Sequence, residues 1–135
     1  MKGREAGIGL FFDLDHFKRI NDTYGHLVGD DLLRLFAKAL AHVSSKYDDI
    51  FPYRLHGDEF FVFCEGHDAL FAQQFEMDLQ DQVDVLMESV DLDIAFGASM
   101  GYGLYRKGQD VDDFIKEADY SMYETKIAKK QQAKR

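Results

Sequence analysis

Two apolar runs in this chain each end in a pair of carboxylates, and few folds tolerate that arrangement. Ile8-Gly9-Leu10-Phe11-Phe12 runs into Asp13-Leu14-Asp15. Ile50-Phe51-Pro52-Tyr53-Arg54-Leu55 and Phe60-Phe61-Val62-Phe63-Cys64 flank His56-Gly57-Asp58-Glu59. Short apolar runs bounded by turn residues read as buried strands, and the second pair reads as a hairpin. Adjacent negative charges at a turn repel unless they face water or a cation. If the two strands are neighbours, Asp13, Asp58 and Glu59 converge on one sheet edge. Hard oxygen ligands of this kind suit a divalent metal such as Mg²⁺, which binds substrate phosphates through one or two carboxylates. Taken alone, Asp58 is more simply read as a turn residue. The matching Asp-Leu-Asp after a strand favours the metal site.

The 135 residues suffice for one domain with a real core. Hydrophobic residues make up 46%, with 12 Phe and no Trp, which argues against disorder. The net charge of −9 argues against a nucleic-acid polymer as partner. Cys64 is the one cysteine, so no internal disulfide forms; its apolar surroundings mark it as a core residue. No apolar stretch approaches the roughly 20 residues of a membrane span.

Helical periodicity places Leu32, Leu33, Phe36, Leu40 and Val43 on one buried face of a helix opened by Gly29-Asp30. A second helix, from Ala69 to Val90, carries a stripe of Leu70, Phe71, Phe75, Leu79, Val83 and Leu86. Asp93 to Ser99 and Gly101 to Tyr105 read as two strands around a tight turn. A last helix runs from Val111 to about Lys129, with Phe114, Ile115, Ala118, Met122 and Tyr123 inward. Residues 127–135 form a basic tail expected to fray. Pro52 implies an edge strand, or one that enters through a bulge. The order β-α-β-β-α-β-β-α is an α+β pattern: a mainly antiparallel sheet flanked by helices, in a single domain over 1–135.

Five ordered segments carry a resemblance. Phe12-Asp13-Leu14-Asp15-His16-Phe17-Lys18-Arg19-Ile20-Asn21-Asp22 comes first, then Tyr24-Gly25-His26-Leu27-Val28-Gly29-Asp30. Arg54 to Phe60, Ser99-Met100-Gly101-Tyr102-Gly103 and Ala118 to Lys126 follow. Together they resemble the GGDEF domain, the catalytic domain of diguanylate cyclases. The resemblance implies a nucleotide-cyclase or polymerase-palm fold with a ferredoxin-like core. It implies condensation of two GTP into cyclic di-GMP and pyrophosphate by a homodimer using Mg²⁺ or Mn²⁺. By position, Asp13, the Leu14 carbonyl, Asp58 and Glu59 would hold the metal. Asp58 or Glu59 would activate the attacking hydroxyl, and which one does so stays open. Asn21 and Asp30 would read guanine, since an amide and a carboxylate complement its donors and acceptor. The bland reading of Asp30 is a helix cap. Lys18, His26, Gly57, Lys126 and Lys130 fall on substrate-contacting positions.

The chain also departs from the pattern. His56 stands where the family has its first signature Gly, and an imidazole there adds bulk and could demand an uncomfortable φ. Lys130 replaces an Arg, keeping the charge but losing the bidentate fork. The product-binding Arg-x-x-Asp before the signature is replaced by Lys46-Tyr47-Asp48-Asp49, so strong product inhibition there is not expected. Only Met1 to Gly7 precede the first strand, where the family carries a further segment. The chain is therefore expected to be a fragment of a larger cytoplasmic or membrane-anchored sensor protein with attached sensory or effector domains. The alternative to an active cyclase is a catalytically weakened, GTP-binding regulatory domain.

Overall fold

A computed structural model describes residues 5–133. It contains β1 (Gly7–Leu14), α1 (Phe17–Tyr24), α2 (His26–Ser44), β2 (Ile50–His56), β3 (Glu59–Glu65), α3 (Ala69–Met87), β4 (Ala98–Tyr105) and α4 (Val111–Ala133). The four strands form one antiparallel sheet in the order β2-β3-β1-β4. β2 is an edge strand, where Pro52, lacking an N–H, is tolerated.

β1 lies inside the sheet and is buried on both faces, which is why its sequence is apolar without alternation. Ile8, Leu10, Phe12 and Leu14 point into one core with Leu32, Phe36 and Leu40 of α2 and Phe75, Leu79 and Val83 of α3. Phe11 points the other way, into a second core with Phe61, Phe63, Tyr105, Phe114, Ala118 and Met122. Cys64 is fully buried in the first core, and burial pushes its thiol up to about 12, so it is inert.

The structure changes the element order to β-α-α-β-β-α-β-α. The polar connection after β1 is itself a helix, α1. α2 opens at His26, four residues before Asp30, so Asp30 sits inside the helix and does not cap it. The two strands expected over residues 93–105 are one: β4 pairs with β1 without interruption from Ala98 to Tyr105, and no strand covers residues 93–97. Gly101 and Gly103 resemble turn residues in sequence, but here they make room for α4. A Cβ on Gly101 would overlap the backbone of Met122 and Ala118.

Two helix stripes are narrower than their sequences imply. Phe114, Ala118 and Met122 are buried on α4, while Ile115 and Tyr123 are exposed. On α3, Ala72 takes the buried place and Leu70 is exposed. α4 continues to Ala133, so the stretch expected to fray from residue 127 is helical to that point. Lys134 and Arg135 lie outside the described residues.

Candidate active site

β1 and β3 are neighbours, and their register sets Asp13 opposite Glu59. The hairpin between β2 and β3 closes over the end of β1: the Leu14 N–H donates to the Asp58 carbonyl at 3.1 Å. Gly57 makes this turn with φ 56, a conformation that costs glycine nothing. The Arg54 guanidinium donates to the Gly57 carbonyl at 3.0 Å and braces the turn. His56 is the last residue of β2, paired with Glu59 beyond a register irregularity after Arg54. Within this turn Gly57 takes the left-handed conformation.

Asp13 is the electrostatic centre of this edge. Burial, reinforced by the adjoining Asp58 carboxyl, pushes its pKa up to about 6 against the pull of Lys126. Lys126 of α4 stands 3.1 Å from Asp13 Oδ2. Asp13 Oδ1 is buried and makes no hydrogen bond within the described chain. Such an atom is costly unless a ligand completes it. Among the described residues, no three carboxylate, imidazole or thiol side chains assemble a metal cage by themselves. Two carboxylates and a carbonyl, completed by phosphate oxygens and water, remain a coordination set that suits Mg²⁺.

Asn21 lies on α1 against α2. Its side-chain oxygen, also buried and without a partner in the described chain, rests where a Cβ on Gly29 would stand. This sets the amide beside the residue preceding Asp30. Asp30, Lys18 and His26 are exposed. Lys130 is exposed on α4, and the lysine beside Asp13 is Lys126.

The sequence reading missed Lys129. Its ammonium lies 2.8 Å from Asp15 Oδ2 and 3.1 Å from the Ala98 carbonyl, and the Ser99 hydroxyl donates to Asp15 Oδ1 at 2.6 Å. The available signal was the i,i+3 spacing from Lys126, which puts both lysines on one helix face.

The sequence matches the family model described as "Diguanylate cyclase, GGDEF domain" over residues 2–132. The chain belongs to the GGDEF domain family. It is 32% identical over 124 residues to diguanylate cyclase VdcA of Vibrio cholerae, covering 87% of this chain and 35% of that protein. It is 34% identical over 133 residues to response regulator PleD of Caulobacter vibrioides, covering 93% and 28%. It is 32% identical over 133 residues to cyclic di-GMP phosphodiesterase NbdA of Pseudomonas aeruginosa, covering 93% and 16%. The chain thus spans about a third or less of these relatives. Among solved structures, a sensory box/GGDEF family protein of Caulobacter crescentus aligns with TM-score 0.73 and 32% identity over 92% of this chain and 80% of the other. The GGDEF fold is the palm-like antiparallel sheet with flanking helices described above. No helix among the described residues is long and apolar enough to cross a membrane.

Proposed function

We propose that this GGDEF domain is a diguanylate cyclase, condensing two GTP into cyclic di-GMP and pyrophosphate when two copies meet face to face. The observation that carries the reading is the unsatisfied Asp13 Oδ1, buried beside the Asp58 carboxyl with Lys126 3.1 Å from the other oxygen. Asp13, Asp58 and the Leu14 carbonyl would hold Mg²⁺ or Mn²⁺, with Glu59 alongside. Bound metal would neutralise triphosphate charge and acidify the attacking 3′-hydroxyl.

The chain's own residues do the rest. Asn21 offers an unpaired oxygen to a guanine N–H, and Asp30 accepts from the guanine edge; adenine lacks those donors. Lys126 can exchange Asp13 for a terminal phosphate oxygen, carrying its charge onto the substrate. Lys18 and Lys130, both exposed, add positive charge toward the triphosphate, and His26 opens α2 near the same ligand. Gly57 lets the hairpin backbone approach the nucleotide. Asp58 or Glu59 takes the proton of the attacking hydroxyl. The domain works in the cytoplasm, where GTP and Mg²⁺ are available, under control of attached domains.

Incubation with GTP and Mg²⁺ followed by chromatographic resolution of products tests this. Cyclic di-GMP is the expected product. Tight GTP binding without turnover would replace the reading with a regulatory one. That second reading has its own support: a similar domain occurs in a relative named as a phosphodiesterase, and His56 departs from the signature.

A further inference from the structure

We propose that Lys129 is a positioning residue that latches the end of α4 across the sheet edge and thereby sets where Lys126 stands. The proposal rests on the cyclase reading only for what Lys126 touches.

α4 runs antiparallel to β4, and its ties to that strand come in a regular ladder. Met122 packs against Gly101, the Thr125 hydroxyl donates to the Met100 carbonyl at 3.0 Å, and Lys129 donates to the Ala98 carbonyl at 3.1 Å. Lys129 is the last of these contacts and the one that reaches beyond β4. Its 2.8 Å pair with Asp15 joins α4 to the residue just past β1, while Ser99 holds the other oxygen of the same carboxylate at 2.6 Å. Asp15 is itself tied back by its N–H to the Gly97 carbonyl at 3.0 Å. Glu76 of α3 also faces Lys129: burial raises its carboxyl, and the Lys129 charge opposes that rise in part. One ammonium thus joins the ends of β1, β4 and α4.

An exposed ion pair alone stabilises little. The consequence here is geometric. Lys126 is three residues earlier on the same helix face, 3.1 Å from Asp13, and Asp13 and Asp15 flank Leu14 at the end of β1. With the last turns of α4 pinned at Asp15, Lys126 cannot drift from Asp13 by swinging the helix. Among the described residues, Lys126 and Lys129 are the ones that tie α4 beyond Thr125 to the sheet, so without the pin Lys126 alone holds that stretch.

Two measurements on Lys129→Ala and Lys129→Arg test this. Hydrogen exchange in the nucleotide-free protein should show about tenfold faster exchange at residues 126–131 in Lys129→Ala, with Phe114 to Met122 unchanged, because only local opening is affected. Lys129→Arg should restore protection. Calorimetric titration should show GTP affinity falling about fivefold in Lys129→Ala with GMP affinity unchanged, since GMP lacks the terminal phosphates Lys126 would meet. Unaltered exchange overturns the latch. An equal loss of GTP and GMP affinity overturns the positioning role. Wild-type protein that binds neither nucleotide overturns the cyclase reading and the phosphate-positioning claim with it, while exchange still decides the latch.

Discussion

The Lys126 ammonium lies 3.1 Å from Asp13 Oδ2, so the candidate phosphate ligand and the candidate metal ligand are paired with each other. The pairing does not fully compensate Asp13. Its carboxyl remains raised, because burial and Asp58 outweigh the lysine.

This has a pH signature. Asp13 moves from 3.8 to about 6 on folding, so the folded chain holds a proton that the unfolded chain releases. Stability therefore falls as pH rises through that window and levels off above it, by at most about 3 kcal/mol. Asp13→Asn should raise the melting temperature at pH 8 and gain progressively less as the pH is lowered to 5, while abolishing cyclic di-GMP formation. A gap that does not vary with pH would refute the assignment.

Lys126→Met removes the one opposing charge from Asp13. The Asp13 pKa should rise further, read by carboxyl ¹³C NMR titration of the metal-free protein. KM for GTP should rise about tenfold, with kcat less affected, as expected when binding to the ground state is lost. A drop in kcat alone would instead place Lys126 in the chemical step.

Gly101→Ala pushes a methyl group into the α4 backbone at Met122 and Ala118. It should destabilise the domain by about 3 kcal/mol in urea titration. Gly103→Ala meets its nearest atom at 3.2 Å and should cost about 1 kcal/mol. Equal losses would mean that α4 does not approach β4 most closely at Gly101.

With His56 at the end of β2, its effect on turnover is expected to run through the side chain rather than through backbone conformation. His56→Gly and His56→Ala should therefore give the same cyclase rate, above wild type if the imidazole obstructs nucleotide. A rate gain confined to Gly would return the effect to backbone conformation.

Much of this domain is legible before folding. The two-sided apolar run of β1, the hairpin with its acidic turn, the edge position implied by Pro52 and the five family segments all follow from local pattern. Local pattern failed where one residue type serves two purposes. Gly101 and Gly103 looked like a turn and are a groove for a helix. Ile115 and Tyr123 looked like core and are exposed, because a helix over so narrow a groove buries one residue in four.

The sequence alone determined the family, the strands β1, β2 and β3 and the identity of the carboxylates, since each depends on residues close together in the chain. Only the tertiary structure decided that Lys129 rather than Lys130 reaches the sheet edge, and that Asp15 and Ser99 complete the latch. Those contacts span 84 and 114 residues. Side chains so far apart meet only because the packing of β1, β4 and α4 brings their ends together, and no local propensity encodes that crossing.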